Sequence, residues 1–404
     1  MKHSVNRPIV NNGLVVVVLG QDALPRAAEI WKLLERDCTD CTLTARWNWI
    51  VTWLQHFGSL VEYWFLVGMR KKTPVGILLL TKETRRKLPL PVKSYHFGTN
   101  GEPYQDQVRM INNMILARAG EKKAFIASAL DTVFKLFAVE ELVFDEFRRE
   151  DAGMVVEALR NYRCRVRIKE EPTLYLDLDA IRKQGGTVEE RFGRYMRRSI
   201  KRAMSAFDDA LVCTWAKNQE EASEILSELI GFYQTTWRRL GKRGMFTSPY
   251  FRDFQMDIIR KLIKSRKVIL FRVRSFKFGT VGCLYMFIDG RTAYSYQIGV
   301  NDFSHVDLHH LSSNRIKTGY IVHTQCMKEC LRRGIGAYNF LTGIYPYKQQ
   351  MTDNCSSVVT VSATTGIKPI VRNTILDMYT KLEQRRKSLK ILSILRTIVT
   401  PKTS

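Results

Sequence analysis

At 404 residues, with 45% apolar and 11% aromatic side chains, the chain exceeds one ordinary core and can fill two. That composition excludes a disordered or fibrous class. No stretch reaches the ~20 apolar residues of a membrane span, so the reading is a soluble, cytoplasmic protein. A net charge of +25, from 64 Lys+Arg against 39 Asp+Glu, favours a phosphate-bearing or otherwise anionic partner without choosing among them.

Lys2 and Arg7 precede the apolar run Leu14–Leu19, which is short and lacks a small-residue cleavage site, so it reads as a strand and not a signal peptide. Eight cysteines are spread thinly: Cys38/Cys41 form a C-x-x-C and Cys326/Cys330 sit one helical turn apart. That is not the four-ligand spacing of zinc, so no metal is expected, and reduced, buried thiols fit an intracellular protein.

In chain order, helices are expected at 24–36 and 45–56, then strands at 61–69, 75–81 and 89–97. Further helices are predicted at 105–118, 121–137 and 152–160, with strands at 141–146, 163–168 and 173–178. Gln184-Gly185-Gly186 punctuates the chain, and Thr187 with Glu190 is a capping-box signature opening a helix. Its arginines could reach an anionic polymer, although a solvated face is the plainer reading. A strand at 210–215, helices at 219–239 and 250–265, and a second meander at 268–275, 280–288 and 292–299 follow, with Asp289-Gly290 as a hairpin turn. A long helix over 307–333 stops at Gly334, strands follow at 337–341 and 356–362, and a basic helix ends the chain. Its stripe of Leu382, Leu389, Leu392, Leu395 and Val399 can pack on the protein or touch an anionic membrane. Each half reads helix, helix, meander, helix, strand, strand, and Val75-Gly76 recurs as Val281-Gly282. A loose internal duplication is the expectation, dividing the chain into 1–185, 186–370 and a tail over 371–404.

The C-terminal half resembles the GNAT-type acetyltransferase family associated with cellulose and exopolysaccharide biosynthesis, which is related to the Fem-type peptidyltransferases with tandem GNAT-like domains. The residues that carry this are Thr236-Trp237, Gly241 to Phe246, Ser248-Pro249, Tyr294 to Gly299, Tyr338-Asn339-Phe340-Leu341-Thr342-Gly343 and Tyr345-Pro346-Tyr347-Lys348. Trp47-Asn48-Trp49, Trp53 and Phe57-Gly58 resemble the family's Trp-rich opening helix. The family usually has Asp where this chain has Asn339, and a Ser-Pro-Gly-like turn where it has Asp307 to Ser313. The resemblance implies an α/β fold of two tandem GNAT-like domains, each a mixed, mainly antiparallel sheet flanked by helices. It also implies acyl-CoA, acetyl-CoA above all, as co-substrate, and an amine or hydroxyl acceptor, sugar-linked in that family.

Such a reaction needs a phosphate cradle, and a strand-to-helix turn supplies free N–H groups and a favourable dipole. The stretch from Gly299 to Ser312 and Ser313, with Arg315 and Lys317 beyond, is the candidate coenzyme site; an ordinary connecting loop fits it equally. His309 and His310, beside His305, are candidate proton acceptors, against the commoner role of exposed loop histidines. Tyr296 and Tyr347 are candidates for protonating the leaving thiolate or orienting the carbonyl, against simple packing, and Asn339 completes the candidate catalytic set. Lys348, Gly343, Lys242 and Trp237 are candidate substrate contacts, although Trp237 also suits a helix core face. The rivals are a Fem-like aminoacyl-tRNA-dependent transferase and an inactive module that binds an anionic polymer.

Overall fold

A computed structural model describes residues 9–11, 13–83, 91–109, 111–207, 210–303, 317–378 and 382. The N-terminal half begins with β1 (Ile9–Asn11), β2 (Leu14–Leu19), α1 (Leu24–Asp37) and α2 (Trp47–Phe57). It continues through β3 (Glu62–Arg70), β4 (Thr73–Lys82), β5 (Ser94–Phe97), β6 (Leu116–Ala117), α3 (Lys122–Leu136), β7 (Glu141–Phe147), α4 (Arg149–Leu159) and β8 (Arg165–Asp177). After α5 (Leu178–Lys183) and α6 (Arg194–Ser205), the second half runs β9 (Val212–Trp215), α7 (Gln219–Arg239), α8 (Pro249–Leu262), β10 (Val268–Ser275), β11 (Gly279–Asp289) and β12 (Thr292–Val300). It ends with α9 (Thr318–Arg332), β13 (Ala337–Thr342), α10 (Pro346–Gln349) and β14 (Cys355–Thr364).

All these strands join one mixed sheet, in the order β1-β2-β3-β4-β5-β7-β14-β8-β13-β12-β11-β10-β9, with β6 beside β4. The fold class is the expected one, a mainly antiparallel α/β sheet flanked by helices in two similar halves. The halves exchange their last strands: β14 pairs with β7, and β8 pairs with β13. One apolar core lies under both halves, where Trp49 of α2 meets Phe254 of α8 and Phe287 of β11 edge-on at 5.3 and 5.5 Å. Burial of such rings contributes roughly 1.5–3 kcal/mol each.

The duplication is visible in packing. A Cβ on Gly76 would strike the Phe125 ring of α3 at 2.4 Å, and one on Gly282 would strike Val322 of α9 at 2.9 Å. In each meander the glycine lets the following helix lie close on the middle strand.

Several predicted elements differ. The helix expected at 105–118 is not formed by the described residues there, which run irregularly, with apolar side chains turned inward, into β6. The apolar residues Val108, Ile111 and Ile115 are buried, but side chains take the segment's backbone donors: Glu102 accepts from Val108 N at 2.8 Å and Asp151 from Ile115 N at 2.7 Å. Asn112, at φ +64°, breaks the helical path. The strands expected at 163–168 and 173–178 are one strand, β8. Pro172 sits within it because β13 covers only Thr173–Asp177, so no ladder donor is lost on that side. Half of the capping box forms, with Thr187 N donating to Glu190 at 3.1 Å, but α6 begins only at Arg194. The strand expected from 89 starts at Ser94, and the described part of the long helix is α9. Helical residues 368–378 follow β14, tied down by Arg372, whose buried guanidinium donates to both oxygens of Glu141 at 2.6 Å. Leu389, Leu392, Leu395 and Val399 of the predicted apolar stripe lie outside the described residues. No described helix is long and apolar enough to cross a membrane.

Candidate functional site

The two halves share a construction that opens in one and closes in the other. In the second half, β12 and β13 run parallel and pair only at Thr292–Ala337, Ala293–Tyr338 and Tyr294–Asn339. Beyond Tyr294, β12 makes no further ladder pair with β13 among the described residues, so a wedge opens between the strands. In the first half, the equivalent strands β5 and β7 pair from Ser94–Glu141 to Phe97–Phe144. There the wedge is filled by the chain itself: Asn113 bridges Phe147, its N–H donates to Glu146 O at 3.0 Å, and its carbonyl accepts from Arg148 N at 3.0 Å.

On one wall of the open wedge β12 bulges. Tyr285 pairs with Gln297 and Met286 with Ser295, so Tyr296 is the extra residue. Its hydroxyl accepts from Gln255 Nε2 at 3.1 Å, and Gln255 Oε1 accepts from Tyr285 at 2.9 Å. Burial pushes the Tyr296 hydroxyl well up, Gln255 opposing, so it stays a neutral proton carrier. Tyr294 accepts from Asn112 of the first half at 2.8 Å. Gly299 is buried against α7, where a Cβ would meet the Leu229 carbonyl oxygen at 2.4 Å, so it serves close packing.

The other wall is the end of β13. Asn339 pairs with Tyr175 and Thr342 with Thr173 across a bulge, and Leu341 takes φ +60°. Asn339 Oδ1 accepts from Leu341 N at 2.7 Å. Lys348 Nζ is buried and donates to the carbonyls of Phe340, Thr342 and Leu341 at 2.7, 2.9 and 3.4 Å. Burial lowers the Lys348 ammonium to about 8, while three carbonyls favour the charged form. Lys348 is thus the clasp of the bulge, with its donors turned into the protein. Gly343, at φ +92°, makes the turn into α10. Tyr347 stacks on His323 of α9 at 5.9 Å and on Tyr345 at 6.2 Å. His323 Nδ1 lies 2.6 Å from the Tyr338 hydroxyl, and burial, with Lys348 nearby, lowers it to about 3, so the imidazole is neutral.

The structure therefore places Asn339, Gly343, Tyr347 and Lys348 close together along the end of β13 and α10, and Tyr296 and Gly299 on β12, with Tyr296 and Tyr347 packed against different core clusters. Trp237 and Lys242 lie at the C-terminal end of α7, with the ammonium 5.8 Å from the indole centroid. Lys317 is exposed at the N-cap of α9. His305, His309, His310, Ser312, Ser313 and Arg315 lie outside the described residues. Among the described residues no cluster of His, Cys, Asp and Glu could hold a metal.

Residues 194–349 match the family model described as an acetyltransferase (GNAT) domain. Over that stretch the chain is similar to a GNAT domain. The stretch holds β9 to β13, the open wedge and α10. Among solved structures, FemX superposes with a TM-score of 0.52 at 11% identity, covering 85% of this chain and 97% of that one. L-PGS from Bacillus licheniformis gives 0.51 at 10% identity, covering 90% and 98%. The C-terminal domain of a putative lysylphosphatidylglycerol synthetase from Agrobacterium fabrum gives 0.51 at 9% identity, covering 88% and 96%. At such identities the likeness is one of fold. No curated protein matches the sequence.

Sequence reading missed Gln255 and His323, which sit in helices that read as ordinary core. It also missed a polar group beside the closed wedge. There His96 Nδ1 lies 2.8 Å from Asp145, Asn100 Nδ2 donates to Asp145 at 2.6 Å, and Arg109 pairs with buried Glu146. Two adjacent carboxylates ending the apolar run Leu142–Phe144 were the available signal.

Proposed function

We propose that the protein is an acyl-CoA-dependent acyltransferase whose coenzyme enters the wedge between β12 and β13. The carrying observation is the asymmetry: the wedge inside the matched GNAT domain is open, whereas its counterpart is filled by residues 111–117. Two functional halves, meeting near residue 185, follow from this reading, the first serving as wall and support. A thioester carbonyl at the wedge apex would lie between the Tyr296 bulge and the Tyr347 side. The acceptor's amine or hydroxyl attacks that carbonyl directly, the C–S bond breaks, and Tyr347, a neutral phenol, supplies the thiolate's proton. The +25 charge suits the coenzyme's phosphates, and a cell-envelope or exopolysaccharide precursor is the acceptor class the sequence resemblance favours. Metal plays no part in this scheme.

The fold likeness to FemX, with the net charge, favours one second reading, an aminoacyl-tRNA-dependent transferase. Titration calorimetry with acetyl-CoA and with bulk tRNA separates the two. Micromolar acetyl-CoA binding supports the proposal; tight, salt-sensitive RNA binding without coenzyme binding overturns it.

A further inference from the structure

The end of β7 holds a group that wedge chemistry alone leaves unexplained. Phe144 pairs with Val361 and Phe147 with Val359, so Asp145 and Glu146 form a bulge opposite Thr360. Glu146 takes φ +51°, a left-handed conformation costing a non-glycine residue ~1 kcal/mol or more. The bulge is fastened by Glu146 N donating to Thr360 Oγ1 at 3.0 Å and by Asn113 Nδ2 donating to the Asp145 carbonyl at 2.7 Å. The strained backbone turns a carboxylate inward. The Glu146 side chain is 4% exposed, and the Arg109 guanidinium paired with it is 56% exposed.

Arg109 contacts one carboxylate oxygen, Oε1. The other has no hydrogen-bond partner among the described residues. Both side chains line a cavity of about 20 Å³ with Thr44, Trp49, Asn100 and Asp145. That is room for one group the size of water, a hydroxyl or an amine. The cavity lies where the halves meet. Trp49 reaches Phe287 of the second half, Asn112 binds Tyr294 at the last paired position before the wedge opens, and Asp106 accepts from Ser248, the N-cap of α8, at 2.5 Å.

We propose that Glu146 takes the acceptor's proton, the acceptor nucleophile entering past Arg109 from the first half. This deepens the acyltransfer reading and rests on it. The acceptor N–H or O–H attacks the thioester carbonyl carbon, forming the new C–N or C–O bond. The C–S bond breaks, its electron pair leaves on sulfur, and the nucleophile's proton passes to the Glu146 carboxylate. The groups facing Glu146 set its proton affinity. Burial raises it, Arg109 lowers it, and Asp145 on the same strand and Glu171 on β8 raise it, with the net result near 7. His96, held between Asp145 and Glu83, adds positive charge one residue further away.

The test uses full-length protein, acetyl-CoA as donor and glucosamine as probe acceptor, with CoA release followed from pH 5.5 to 9. Acetyl-CoA affinity is measured on each variant, and thermal melts show that the variants fold. The wild type should gain rate as pH rises through about 7. Glu146→Gln should keep acetyl-CoA affinity, lose ~10²–10⁴ in rate and lose that limb. Arg109→Gln should move the limb upward, because a cation that holds the carboxylate's pKa down is removed. An unchanged limb in Glu146→Gln, or wild-type turnover that is flat or absent over the range while acetyl-CoA binds, overturns the assignment of Glu146 alone. Failure of every protein to bind acetyl-CoA overturns the acyltransfer reading and this one with it.

Discussion

Glu146 and Leu341 occupy the same place in the two halves: each is the left-handed residue, at φ +51° and +60°, of a bulge ending the second of two parallel strands. The halves finish that bulge with different chemistry. In the first, Thr360 and Asn113 fasten it and a carboxylate points inward. In the second, Lys348 gathers three carbonyls and leaves the neighbouring wedge open.

Lys348→Met should destabilise the protein by about 1–3 kcal/mol, because three carbonyls lose one charged donor. Urea unfolding measures this. A change within a few tenths of a kcal/mol would mean that water replaces the ammonium and that Lys348 is no clasp.

Asn339→Asp should fold almost normally, since a carboxylate oxygen can accept from Leu341 N as the amide oxygen does at 2.7 Å. Asn339→Ala removes the acceptor and should cost about 1 kcal/mol. Equal melting points for all three proteins would remove the structural role and reopen a chemical one.

How much of this was legible follows from where the signals live. Hydrophobic periodicity and turn residues are local, so the meanders, the duplication and the β13–α10 wall could be read from residues close in sequence. Gly76 and Gly282 showed as a repeated dipeptide before the helix side chains they admit, Phe125 and Val322, were visible. The segment 105–118 misled because its apolar spacing imitates a helix, while the carboxylates that hold it extended, Glu102 and Asp151, lie outside it or far along the chain. Lys348 was expected in a cleft, and only the folded bulge shows three carbonyls converging on it. Arg109 and Glu146, 37 residues apart, meet solely through tertiary structure.

Arg372→Met should destabilise by roughly 3–5 kcal/mol and release helical residues 368–378, because the buried Glu141, to which Ser94 donates at 2.5 Å and Asn373 at 3.4 Å, loses its charged partner. Adding Glu141→Met should recover part of the loss. A double variant no better than the single one would contradict the pairing.

Stability should fall from about pH 5 to pH 8. Burial raises the Glu146 carboxyl from 4.5 to about 7, so the folded protein keeps a proton that the unfolded chain has released. His96, which burial disfavours but Asp145 and Glu83 charge, rises from 6.5 to about 9. Its contribution is complete below pH 6.5 and is lost as pH climbs through 9, about 2 kcal/mol of it by pH 8. His96→Gln should flatten the upper part of the slope in melts taken at stepped pH; an unchanged slope would mean that His96 is neutral in the folded protein.

The most direct examination is hydrogen exchange with and without acetyl-CoA, resolved along the chain. Coenzyme should slow exchange over 295–300 and 340–347, on the two walls of the open wedge, and leave 94–97 and 111–117 unchanged. Protection at the filled wedge, or none at the open one, would contradict the assignment of the coenzyme to the gap between β12 and β13.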